Sequence, residues 1–70
     1  MTLRELETIA LTRDLPEHGL NTGQLGVIVH VHSSSLAEVE FMTPTGMTLL
    51  VATIPADTMQ PAESRVRQGR

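Results

Sequence analysis

The sequence contains no cysteine, no tryptophan and no tyrosine, and Phe41 is its one aromatic residue. Without cysteine there is neither a disulfide staple nor a thiolate for zinc or catalysis. The usual props of small secreted domains are excluded, and a reducing cytoplasm is the expected setting. With Phe41 alone there is no stacking platform for single-stranded nucleic acid. Basic residues are scarce as well: five Lys and Arg stand against eight Asp and Glu, for a formal net charge of -3. Arg65, Arg67 and Arg70 all fall after Pro61, so the body is more acidic than the total, which argues against a duplex-binding surface there. No apolar run is long enough to span a bilayer, and the basic start and apolar stretch of a signal peptide are missing, so neither is expected.

What is present reads as one small all-β domain. A chain this short hides only about 60% of its unfolded surface, so the core must be compact. Thr2 and Glu5 fit a capping box, and Leu3, Leu6 and Ala10 recur at helical spacing, which predicts a short N-terminal helical turn. From Thr8 to Arg13 the period becomes two, with Ile9 and Leu11 on one face, and a strand is expected. Asp14 to Gln24 is a loop rich in Pro, Gly and Asn, long for a small domain, with Leu15 and Leu20 as its anchors against the core.

From Leu25 to His32, the valines Val27, Val29 and Val31 alternate with Ile28, His30 and His32, and the valine face is expected to point inward. Ser33 to Ser35 form a turn, and Ala37, Val39 and Phe41 alternate with Glu38, Glu40 and Met42 in a second strand. Inward residues must oppose inward residues, so a hairpin loop of three or five residues is expected, which sets His30 opposite Glu38 or Glu40. Thr43 to Gly46 is a turn, and the apolar run Met47 to Ile54, centred on Leu49, Leu50 and Val51, reads as a strand through the middle of the core. Pro55-Ala56-Asp57 ends it, and Thr58 to Gln60 is a last short strand before Pro61. About five antiparallel strands, a long first loop and a tight turn before the last strand describe an SH3-like β-barrel over residues 1–61, with a small open antiparallel sheet as the alternative. Residues 62–70 are expected to be a flexible basic tail with almost nothing to bury.

The stretches "ALTRDLPEHGLNTGQLGVIVHV", "AEVEF" and "TLLVATIPADTMQP" resemble the DUF4926 family of small bacterial proteins, over roughly Leu6 to Pro61. The most specific parts are Asp14-Leu15-Pro16 with Gly19-Leu20, Gly23 and Gly26 entering a valine strand, Glu38 to Phe41, and Pro55-Ala56. The resemblance implies an SH3-like barrel without an assigned activity, a bacterial cytoplasmic setting, and a toxin–antitoxin or immunity-type partner. Gly23 to Val31 is also similar to the glycine-to-valine strand entry of ribosome- and transcription-associated barrels, but the basic residues that accompany it there are missing.

Two surfaces stand out as candidates for contact. The first is the long loop, with Leu15, Pro16, Glu17, His18 and Leu20. The second is the strand face with His30 and His32, which lie two apart and so share a face, opposite Glu38 and Glu40. Two imidazoles and a carboxylate would hold a divalent ion if a third ligand stood within about 2.0–2.2 Å of it. The plain alternative is a solvated face with cross-strand His–Glu pairs worth ~0.2–1 kcal/mol, and no metal or cofactor is expected. Ser33 to Ser35 lack an oriented base and an oxyanion site, and Gly23 to Gly26 open a strand rather than a phosphate-binding helix, so neither an enzyme nor a nucleotide site is expected. The expectation is a non-enzymatic binding or regulatory module with a protein partner. Homo-oligomerisation is compatible with it, and a nucleic-acid accessory role for the arginine tail or a weak metal site on the histidine face is the alternative.

Overall fold

The computed structural model describes residues 1–62. Five strands, β1 (Thr8–Leu11), β2 (Leu25–Ser33), β3 (Leu36–Met42), β4 (Thr48–Pro55) and β5 (Met59–Pro61), form one antiparallel sheet in the order β4-β3-β2-β1-β5. Two 3-10 turns, Pro16–His18 and Ala56–Thr58, are the only helical elements among the described residues. No helix among them is long and apolar enough to cross a membrane. The arginines Arg65, Arg67 and Arg70 of the expected tail lie outside the described residues. Ala62, assigned to that tail from the sequence, belongs to the fold: it is buried and its N–H donates to the Thr8 carbonyl at 3.1 Å.

The sheet is open by hydrogen bonding, yet it must curl. A flat sheet would hold its edge strands about 19 Å apart at ~4.8 Å per strand. The edges β4 and β5 are joined by the three residues Ala56–Thr58 alone, and a 3-10 turn advances only ~2.0 Å per residue. Curling collects the inward side chains of every strand into one core: Ile9 and Leu11 of β1, Ile28 of β2, Ala37, Val39 and Phe41 of β3, Ala52 and Ile54 of β4, and Met59 of β5. The sheet is not closed into a barrel, since β4 and β5 do not pair among the described residues; the open antiparallel sheet, the alternative expected, is the one found.

Strand β3 shows the alternation expected of it, but β2 does not begin on its expected face. Gly26 and Ile28 are the buried residues there, while Val27 is half-buried and Val29 exposed. The cause is steric. A Cβ on Gly26 would stand 2.7 Å from Val39 Cγ1 and 3.0 Å from Phe41 Cδ1, so only glycine fits at this inward position and Ile28 follows it inward. A β-bulge between Ile28 and His30 then makes Val29 the extra residue and switches the phase, so that Val31 packs against the core. A second bulge between Val31 and Ser33 precedes a two-residue turn, Ser34-Ser35, in place of the three or five residues expected. Neither serine has the positive φ of the tight hairpin turns. The bulge supplies the odd residue instead, and His30 stands opposite Glu38 as the parity argument requires.

Two further differences have plain reasons. The N-terminal helical turn is realised as a β-turn, closed by the Glu7 N–H on the Arg4 carbonyl at 3.3 Å. Leu3 enters the core and the Leu6 N–H donates to Ile28 O at 2.6 Å, so pairing with β2 replaces helical hydrogen bonds. Strand β4, read from its apolar run as central, is an edge strand: Leu49 and Val51 are 50% and 48% exposed, and only Ala52 and Ile54 are buried. Its run is apolar on both faces although one edge and one face meet solvent.

Candidate functional site

The long loop is a clasped unit rather than a free surface. Leu15 and Leu20 form an antiparallel bridge, Leu15 N–H to Leu20 O at 2.9 Å and Leu20 N–H to Leu15 O at 3.1 Å, and both side chains are buried. Between them Pro16–His18 make the 3-10 turn, which Gly19 ends with φ of 70°, a left-handed conformation that glycine adopts without strain. Outside the bridge, Asp14 Oδ1 accepts from the Thr22 N–H and from its hydroxyl, each at 2.8 Å. These two bonds hold the Asp14 carboxyl below its ordinary value of 3.8, the backbone bond foremost. Of the loop residues proposed for contact, Leu15 and Leu20 are therefore structural anchors. Pro16 and Glu17 are exposed and His18 is half-buried.

The histidine face forms as expected but its groups diverge. His30 and His32 make an edge-to-face pair with ring centroids 4.5 Å apart. His32 Nε2 lies 3.6 Å from Glu38 Oε1, whereas His30 Nδ1 lies 3.9 Å from Glu5 Oε2 on the N-terminal segment. Glu40, also proposed for this face, accepts instead from the Thr48 hydroxyl. No three metal-ligating side chains converge among the described residues, so the third ligand that a metal would need is not in place. All four partners of the two ion pairs are more than one-third exposed, and such pairs contribute ~0–1 kcal/mol at most.

The surface missed from the sequence is the edge and outer face of β4. The register places Val51 beside Glu40, and Glu40 beside Val27, so these three side chains share the outer face. Ahead of them, Met47 and Leu49 are 69% and 50% exposed. Backbone polarity completes the edge. The Ala56 N–H donates to the Ser35 carbonyl at 2.8 Å, bracketing the Leu36–Pro55 pair, and by antiparallel alternation Ile54, Ala52 and Leu50 turn their polar groups to β3. Val51 and Thr53 then point their N–H and C=O groups away from the sheet. Apolar character was visible in this run, but the run alone does not distinguish a doubly covered strand from an uncovered edge.

Near the start of β4, an open groove of about 570 Å³ runs between the Asn21–Gln24 limb of the long loop and the Thr43–Gly46 turn. Leu25, Val27 and Met42 contribute to its lining, which contains no charged side chain. Residues 5–61 match the model of a family described as a domain of unknown function, DUF4926. The chain belongs to the DUF4926 family. The matched span takes in all five strands of the DUF4926 fold, the clasped loop and the β4 edge, and ends at Pro61, the last residue of β5. No curated protein and no solved structure matches the chain.

Proposed function

We propose that this chain is a non-enzymatic, cytoplasmic binding module whose partner is a protein, engaged at the open edge and outer face of β4. The observation that carries the reading is an eight-residue edge strand with no charged residue along Thr48–Pro55. Natural sheets blunt such edges with charges, prolines or short strands, because unpaired backbone groups recruit further strands. The other edge follows that practice: β5 has three residues and ends in Pro61. β4 also ends in proline, at Pro55, and carries a bulge at Leu49, but it is eight residues long and uncharged; Leu49 and Val51 along it, and Met47 just before it, have large exposed apolar surfaces. Addition of a strand from a partner satisfies the free groups of Val51 and Thr53 and covers those side chains. A toxin or immunity-type partner falls within the same reading. The acidic body and the single aromatic residue favour protein over nucleic acid.

Affinity capture from the host extract with the tagged chain and its Val51→Lys variant tests the proposal. One specific protein recovered with the original chain and lost with the variant is the expected result. Equal recovery by both, or nothing above background with either even after chemical cross-linking of the extract, contradicts it.

A further inference from the structure

We infer that the occupant of the β4 edge is a second copy of this chain, paired antiparallel through β4 about a two-fold axis at Ala52. The inference rests on the reading of β4 as the binding edge and names its partner. Three features of the strand fit a copy of itself.

The first is register. β4 carries a bulge at Leu49, where Phe41 pairs with Leu50 and Met42 with Thr48, and it ends at Pro55, which lacks an N–H. The regular stretch between them is Leu50 to Ile54, with Ala52 at its centre. A two-fold axis there sets Val51 opposite Thr53 of the second copy, and Thr53 opposite its Val51. These are the residues whose N–H and C=O groups point off the sheet, so each opposed pair exchanges two hydrogen bonds. Leu50 then faces Ile54 of the second copy on the inner side, and Ala52 faces Ala52. Every opposed pair is apolar or β-branched, which suits cross-strand packing.

The second is charge. Each copy has a formal net charge of -3, so like charges must be kept apart. Within the sheet the carboxylates next to β4, Glu38 and Glu40, sit on β3, one strand behind the edge, and Asp57 follows the end of β4, so antiparallel pairing sets the two copies' Asp57 at opposite ends of the seam. In the paired sheet the two β3 strands are three strand spacings apart, about 14 Å, beyond the ~8 Å screening length at physiological salt. The third is closure. The opposite edge, β5, is three residues long and ends in proline, so β4 of one copy finds no matching β5 on another. Pairing of β4 with β4 uses the same surface on both copies and stops at two. A single shared strand edge is a small interface, so the dimer belongs to the weak, concentration-dependent class.

Sedimentation velocity of the full chain across a concentration series tests the inference, with Val51→Lys and Thr53→Lys each confirmed as folded by circular dichroism. The expected result is a reversible shift from monomer to dimer with rising concentration, and a dissociation constant raised at least tenfold in either folded variant. A chain that stays monomeric through ~1 mM, or a dimer that neither variant weakens, overturns it. If the chain is monomeric but capture of another protein still depends on Val51, the occupant is wrong and the reading of the edge stands.

Discussion

Gly26 and Phe41 oppose each other across the β2–β3 pair, and a Cβ on the glycine would meet the phenylalanine ring at 3.0 Å. That contact brings β2 close over the core and sets which of its residues follow inward. Gly26→Ala is therefore expected to destabilise the domain by about 1–3 kcal/mol, since Val39 and Phe41 are both fully buried and have little room to shift. Urea unfolding read as the shift in midpoint checks it, and an unchanged midpoint would mean the two strands are not so close.

The same relationship predicts a contrast between neighbours. Ile28 is fully buried and Val29, at the bulge, is 38% exposed. Ile28→Ala is expected to cost about 2–5 kcal/mol, and Val29→Ala no more than ~0.5 kcal/mol. Equal losses in the two variants would place the bulge elsewhere.

Asp14 makes the loop clasp sensitive to acid. Its carboxyl is held below 3.8 by the Thr22 N–H and hydroxyl, so the folded state prefers the charged form. A lowered folded value contributes stability that is present above the unfolded value and lost as the pH falls through the folded one. Asp14→Asn should lower stability at neutral pH, and the difference from the original chain should vanish as the pH drops below 3.8 and through the folded value. A difference that persists unchanged in acid would remove the clasp from the account.

Leu6 has φ of 71° and is 79% exposed, a left-handed leucine with little burial in return. That conformation costs roughly 1–2 kcal/mol for a residue with a Cβ. Leu6→Gly is expected to leave the domain equally stable or to stabilise it by up to ~1 kcal/mol, the relief being partly offset by glycine's entropy in the unfolded chain. Thermal unfolding reads the sign, and a clear loss would show that Leu6 packs on something.

Much of this fold is legible where one local rule acts alone. Alternation along Ala37, Val39 and Phe41 identifies the inward face of β3, and Leu15 and Leu20 are recognisable as loop anchors because they are the apolar residues of a polar, glycine-rich stretch. The phase of β2 is not legible from alternation, because five branched residues satisfy either face and two bulges break the period. The informative residue there is Gly26, whose missing side chain marks the crowded inward position. The place of β4 in the sheet depends on strand order, which its own composition does not encode. The histidine face is legible as far as the pairing of His30 with Glu38, but Glu5 reaches it through a turn centred on a left-handed leucine that no helical spacing anticipates.

The edge of β4 is tested most directly by amide hydrogen exchange at Val51 and Thr53, followed by NMR in dilute solution and again at a concentration where the chain self-associates, or with another captured partner in excess. Rapid exchange is expected at both amides in the dilute chain, slow exchange at Ala52 and Ile54 throughout, and strong protection of Val51 and Thr53 on complex formation. Exchange at Val51 and Thr53 that is already as slow as at Ala52 in the dilute chain, or that stays fast in the complex, would contradict it.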